Sequence, residues 1–450
     1  MSITGISTKI VSTLGNPSSL VPLMVKDAAD SASLTYYSYK AGGKVEGFDR
    51  FVDEFGTQAI WIGGIPFFKK LIDKTAYKFA KLNPSVDPRI ISNKDYADWA
   101  VKNAKGFMDN SATQTVKNAL EDSLKNISKT KGLYIGKVVA ATALTLISFF
   151  AMTKMKQKMT KDRVQKDILE NQPVVNAKAQ QDANEKFLKE NYKKKVAFNS
   201  IENQFEQQKP SFKGLGKSIV EGIMFNPVHN MKLIDAGITT ERLAQSRNKT
   251  EFTEHAIKEG VFLFFMYGLG NVLQKGIDAA SAKFLGKPID LDIQVLMSKE
   301  LKDALPTDKI AKDLAKMPQK AGKITEMLDF IVKNPDNIVV QAAKKSGIIS
   351  TVGKTMDIDT SKYISQKEFE KLGDKLKNID FNFKESNQTI KSFLNKTKGL
   401  KVASVVANLA ACCFVLGYVV PELVYKYRKD KTGTTDFHVA TDIKNESKPA

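Results

Sequence analysis

The stretch from Asp357 to Glu368 (DIDTSKYISQKE) sets oxygen-bearing groups at alternating positions. A hard divalent cation is held by a ring of oxygens at such a spacing, closed by a carboxylate that binds through both oxygens. Asp357, Asp359 and Ser361 would supply the first, third and fifth positions. Tyr363 would offer its backbone carbonyl at the seventh, Ser365 a hydroxyl at the ninth, and Glu368 the bidentate carboxylate at the twelfth. Ile364 is apolar at the eighth position, and Phe369, Leu372 and Leu376 would start the apolar face of a following helix.

This pattern resembles the EF-hand calcium loop, and the resemblance implies calcium as a ligand of those six residues. It covers a short part of the chain and departs from the family at Lys362, where the family has Gly. That position takes a positive φ, which costs a non-glycine residue about 1 kcal/mol or more. The incoming helix, over 341–356, is interrupted by Gly347 and Gly353. The competing expectation is a solvated turn before a helix, with Ser365 as N-cap and Glu368 completing a capping box.

Other chemistry is sparse. Ser211–Ser218 (SFKGLGKS) falls one glycine short of a phosphate-binding loop and follows no apolar strand. His229, His255 and His438 stand apart from one another and from Cys412-Cys413, so no His/Cys metal set arises from spacing. No nucleophile elbow, zinc-protease or dinucleotide pattern occurs, and the expectation is that the protein is not an enzyme.

The elements around these residues are helical and apolar. Leu133–Met152 and Leu400–Val420 are long enough to cross a bilayer, which takes about 20 residues. Both carry small residues that let helices approach in lipid, and both run into basic clusters, KMKQKMTKDR and YKYRKDK. Two shorter apolar segments, 57–68 and 260–273, would re-enter, tilt or lie at the interface; Gly63-Gly64-Ile65-Pro66 would weaken or kink the first.

The weak and strong segments recur in the same order. Lys129–Ala140 and Lys396–Ala407 share eight of twelve positions without a gap. At a shift of 205, Gly63 falls on Gly268, Ile72-Asp73 on Ile277-Asp278, Lys78-Phe79 on Lys283-Phe284, Asp87 on Asp292 and Lys94 on Lys299. The expected fold is therefore all-α, a helical integral membrane protein with two tandem parallel repeats. Unit one covers 1–165, with short segment 57–68 and transmembrane helix 133–152. A polar helical linker follows over 166–224. Unit two covers 225–432, with short segment 260–273, a helical loop at 274–398 and transmembrane helix 400–420. The tail, 433–450, is expected to be disordered. Within the linker, Phe187, Leu188, Tyr192, Val196 and Phe198 form a narrow apolar stripe.

The formal net charge is +20, yet only six of the 69 basic residues are Arg (50, 89, 163, 242, 247 and 428). Lysine excess beside apolar segments suits anionic headgroups, whereas base-reading proteins favour Arg. The expected partners are a bilayer with anionic headgroups and proteins that meet the loops; nucleic acid is disfavoured. The location is an integral position in a membrane, with the C-terminus on the cytoplasmic side. The leading function is an anchor or scaffold of the membrane, open to calcium control. The alternatives are a transport or pore component and a soluble basic helical protein that binds nucleic acid.

Overall fold

The computed structural model describes residues 3–16, 19–106, 111–171, 224–244, 246, 249–287, 289–318, 322–353 and 356–433. The polar stretch 177–208, its apolar stripe, the 211–218 motif, Arg163's side chain, Arg247 and the tail beyond Gly433 lie outside the described residues or side chains.

The chain is all-α, as expected. In order it forms α1 (Ile3–Gly15), α2 (Val21–Ile72), a π-helical turn (Asp73–Tyr77), α3 (Lys78–Ala80), α4 (Pro88–Ile91), α5 (Lys94–Gly106), α6 (Ser111–Lys125) and α7 (Ile127–Asn171). There follow α8 (Pro227–Ala244), α9 (Lys249–Leu263), a π-helical turn (Phe264–Leu269) and α10 (Gly270–Leu285). Next come α11 (Ile293–Leu296), α12 (Lys299–Ala304), α13 (Lys309–Ala315), α14 (Ile324–Lys333) and α15 (Ile338–Ser346). A two-residue hairpin, β1 (Thr351–Val352) against β2 (Asp357–Ile358), precedes α16 (Gln366–Glu385). The chain ends with α17 (Ile390–Phe414), a π-helical turn (Val415–Val419) and α18 (Val420–Thr432).

Although its residues are helical throughout, α2 doubles back on itself. Gly43 takes φ +74° with open space around it, a conformation that is cheap only for glycine. Gly47 then packs on Tyr39, the Arg50 Nε donates to Ser38 Oγ (3.4 Å), and the Gln58 amide donates to the Met24 carbonyl (3.4 Å). In a straight helix Met24 and Gln58 would lie about 50 Å apart. α2 is thus a hairpin with a first arm before Gly43 and a second arm after it. Helices α8 and α9 make a similar hairpin: Arg242 meets Glu259, and Tyr267 meets Asp235.

Among the described residues, three helical stretches are long and apolar enough to cross a membrane: Ile127–Met155, Phe252–Leu285 and Ile390–Lys431, whose most apolar parts have mean hydropathy 1.8, 1.3 and 2.1. The segment 57–68 lies within α2, whose helix runs on through Pro66. Gly64 serves the packing there, since its Cβ would fall 2.7 Å from Thr145 Cγ2 of α7, whereas Gly63 faces open space. Gly64→Val is expected to destabilise the protein by about 1–3 kcal/mol, read as a lower midpoint of thermal unfolding. An unchanged midpoint would show that the two helices are not held at this point.

Two apolar cores result. One gathers Leu23, Trp61, Ile65, Phe149, Met231, Ile234, Met266 and Leu416 inside the long-helix bundle. The other forms a helical head from both halves of the chain, joining Ile90, Tyr96 and Leu120 to Leu296, Leu328, Val339, Phe369 and Phe393. The region 274–398, expected as a helical loop, is largely built into this head. Its short helices are set by side-chain caps: Asp87 accepts from the Arg89 N–H (2.9 Å), and Asp292 accepts from the Gln294 N–H (2.7 Å).

Candidate functional site

The residues of 357–368 run from β2 through a turn into the first turn of α16. Asp357 lies in β2 opposite Val352. Asp359 Oδ1 accepts from the Ser361 N–H (3.0 Å) and the Ser361 hydroxyl (2.6 Å), an Asx turn. The Ser361 carbonyl accepts from the Asp87 N–H (3.0 Å). Tyr363 stacks on Tyr96 at 5.3 Å, and the Arg89 guanidinium lies 4.7 Å from the Tyr363 ring centre. Ser365 Oγ accepts from the Glu368 N–H (3.4 Å), and the Glu368 side chain points outward from the first turn of α16. Ile364, Phe369, Leu372 and Leu376 are buried in the head.

Lys362 is not among the residues with positive φ; that conformation falls on Met356 (φ 58°). The incoming helix ends early, at Gly347 (φ 77°), and the β-hairpin takes the place of residues expected to be helical. The six oxygen-bearing residues thus span the end of the hairpin, a loop docked on the N-cap of α4, and the start of α16. Among the described residues, no three His, Cys, Asp or Glu side chains are grouped so as to hold a metal ion.

A denser constellation lies in the bundle, where the hairpins of α2 and of α8–α9 meet α18. The first arm of α2 carries Asp27 and Asp30; its second arm carries Arg50, Asp53 and Glu54. Asp235 and Arg242 come from α8, Glu254, Lys258 and Glu259 from α9, and Arg428 from α18. Helical spacing of three or four residues puts each helix's members on one face.

Lys258 Nζ sits 2.9 Å from Glu54 Oε1, joining the two hairpins, while Arg50 reaches Asp53 (3.5 Å) and Glu54 (3.3 Å) on its own helix. Arg242 pairs with Glu259, and the Tyr267 hydroxyl donates to Asp235. Arg428, 1 % exposed, grips Glu254 with two parallel bonds, Nε to Oε1 (3.0 Å) and Nη2 to Oε2 (2.8 Å). Its guanidinium lies 4.9 Å from the Tyr425 ring centre, and the Tyr425 hydroxyl bonds to Ser38 (2.7 Å), beside Arg50. Hydrogen bonds and ion pairs thus run from α18 through α2 to α9, and the charge-assisted Arg428–Glu254 pair joins α18 to α9 directly.

Carboxylates outnumber cations here, and three carboxyls on the first arms respond. Burial, then the charges of Glu54 and Asp235, pushes Asp27 up to about 7. Burial drives Asp30 up to about 8, with Lys258 opposing and Glu54, Asp27 and Glu259 adding. Asp235 rises to about 7 through burial and the charge of Glu259, held back by the Tyr267 hydrogen bond and the charge of Arg242. Such groups can hold or release a proton near neutral pH, and the paired ones can lock helices together.

Sequence reasoning did not assemble this site, because its partners are far apart in the chain. One signal was present: the four arginines with described side chains, 50, 89, 242 and 428, all pair with carboxylates in a chain whose surface charge is lysine. A second lay in the 205-residue shift, which also superposes Asp30 on Asp235 and Glu54 on Glu259.

Fold and site define an all-α protein with a bundle of membrane-compatible helices, a buried ionic cluster and a helical head. No protein-family model, no curated protein and no solved structure matches the chain.

Proposed function

We propose that the chain is an integral membrane anchor or scaffold: the bundle sits in lipid and the head is the surface that meets other proteins. The observation that carries this reading is the outward apolar face of the long helices. Val139, Ile147, Phe264, Val272, Val406 and Phe414 are each more than half exposed. Only 39, 19 and 22 % of the most apolar windows of the three stretches is buried within the chain. Left in water, each such side chain forgoes about 1.5–3 kcal/mol that lipid would supply.

The same reading holds the chain to be two related, parallel units. Three features support this besides the shared sequence. Each unit opens with a helical hairpin, and each second arm ends in a left-handed residue, Lys81 (φ 55°) or Gly286 (φ 56°), also 205 apart. In unit one, α7 packs on its own second arm (Gly64 against Thr145) and on the first arm of the other unit (Gly237 against Leu146). In unit two, α17 packs on its own second arm (Gln274 to Ser404, 2.6 Å), and the π-helical turn after it packs on the first arm of α2 (Gly417 against Ala29). The basic ends of α7 and α18 then share one face, which the positive-inside tendency assigns to the cytoplasm.

The deciding experiment is an alkaline carbonate wash of membranes that contain the full chain. Retention in the pellet until detergent is added is expected. Release by carbonate would overturn the reading and favour a soluble helical protein.

A second reading, transport, is favoured by the buried ionic cluster, since ionisable groups inside a membrane-embedded bundle mark ion and proton pathways. Ion flux in liposomes that contain the chain tests this; tight liposomes favour the scaffold.

Calcium is proposed as a modulator through the oxygens of 357–368. Titration in detergent should show saturable binding that Glu368→Gln removes. Equal responses of the two proteins, or none at millimolar calcium, would leave Ser365 and Glu368 with a helix cap alone.

A further inference from the structure

The two most exposed large hydrophobic residues among those described are Phe79 (89 %) and Phe284 (75 %). They occupy the same place in the two halves of the chain. Each follows a lysine, Lys78 or Lys283, and precedes by two residues the left-handed residue that ends the second arm. Each sits at the end of the bundle nearest the head, where the next apolar helix begins: Lys129 Nζ at the start of α7 donates to the Ala80 carbonyl (3.1 Å) beside Phe79.

Exposed lysines flank both rings: Lys74 and Lys78 precede Phe79, Lys275 and Lys283 precede Phe284, and Lys129 and Lys396 open the next apolar helix in each half, against one acidic residue per helix end, Asp73 or Asp278. The Lys283 ammonium lies 5.4 Å from the Phe284 ring centre. A bare phenylalanine is costly in water, and a second at the matching turn makes an accident of one helix end a poor account. An aromatic ring at the end of an apolar helix, flanked by lysines, matches the boundary between acyl chains and anionic headgroups.

We propose that Phe79 and Phe284 are a pair of interfacial anchors that insert into the head-side leaflet, with these lysines selecting anionic lipid. The proposal rests on the membrane reading above and adds the depth at which the bundle sits and the headgroup class it prefers. The rings enter the acyl boundary while the ammonium groups reach phosphate oxygens, which fixes the head just outside the bilayer.

The test uses full-length F79W and F284W, each in vesicles of phosphatidylcholine with added phosphatidylglycerol, one or other lipid being brominated on its acyl chains. F381W is the control, because Phe381 is 63 % exposed on α16 of the head. Quenching of positions 79 and 284 by brominated lipid, with shielding from acrylamide, is expected, while position 381 shows the reverse. Brominated phosphatidylglycerol should quench more than brominated phosphatidylcholine at equal fraction. K78Q with K283Q should remove that preference, since one lysine charge near an anionic surface is worth about fivefold in local enrichment.

If positions 79 and 284 behave like 381 while the chain resists carbonate, the anchors are wrong and the membrane reading survives. Equal quenching by both lipids would overturn the selection of anionic headgroups. Release by carbonate with all three positions in water would overturn both.

Discussion

Arg428→Ala is expected to destabilise the folded chain by about 3–5 kcal/mol, the largest effect of any single substitution proposed for this protein. The argument rests on what remains behind. Glu254, 6 % exposed, has both oxygens engaged by Arg428. Removing the guanidinium leaves a buried carboxylate without its counter-charge and opens a void beside Tyr425. The cost is that of stranding the partner, not the net worth of the ion pair. Two companion variants separate these. Arg428→Lys should recover little, because a single ammonium cannot reproduce two parallel bonds from one planar group. Arg428→Met combined with Glu254→Leu should recover most of the loss, since an apolar pair of similar volume needs no counter-charge. Chemical unfolding in detergent gives the numbers. A loss of less than about 1 kcal/mol in the alanine variant would mean that water reaches Glu254 and that the cluster is open.

What was legible in the sequence divides along range. Local chemistry was readable: Ser365 does cap α16 through the Glu368 N–H, and Phe369, Leu372 and Leu376 do form a buried face. The apolar stretches stood out because hydropathy is a property of a short window. The 205-residue shift singled out Asp87 and Asp292, and both cap short helices. The turn at Gly43 was not legible, because a helix–Gly-Gly–helix run reads as one helix until a positive φ reverses it. The ionic cluster was hidden for a different reason. Lys258 and Glu54 lie 204 residues apart, and Arg428 and Glu254 lie 174 apart. Each looks like ordinary surface charge on its own helix. Only the scarcity of arginine distinguished some of these positions, and its meaning needed the fold. Likewise, oxygen spacing in 357–368 is a one-dimensional pattern, whereas the direction of each side chain depends on the β-hairpin before it and on α4 against it.

The second large effect is a fall in stability as pH rises, the reverse of what paired carboxylates usually give. Asp235 is 6 % exposed and Asp30 is 3 % exposed, and their carboxyls sit at about 7 and about 8 in place of the ordinary 3.8. A group whose pKa is raised on folding binds its proton more tightly in the folded chain. Its contribution is therefore complete below the unfolded value, near 4, and is lost as pH climbs through the folded value. For Asp235 alone, a rise from 3.8 to about 7 corresponds to about 4 kcal/mol across that window. The groups that face it set the sign: Glu259 raises it together with burial, while Arg242 and the Tyr267 hydrogen bond oppose. Asp30 faces Lys258, Glu54, Asp27 and Glu259, so its deprotonation adds negative charge to a cluster already rich in carboxylates. The unfolding free energy should then decline steadily from pH 5 to pH 8.5. Asp235→Asn and Asp30→Asn should each flatten part of that decline, because a neutral amide keeps the shape and does not titrate. Their gain over wild type should be largest at the alkaline end and shrink steadily towards about pH 4. A wild-type profile that is level over this range, or one whose slope both variants retain, would place the protons elsewhere and reduce the cluster to a fixed set of ion pairs.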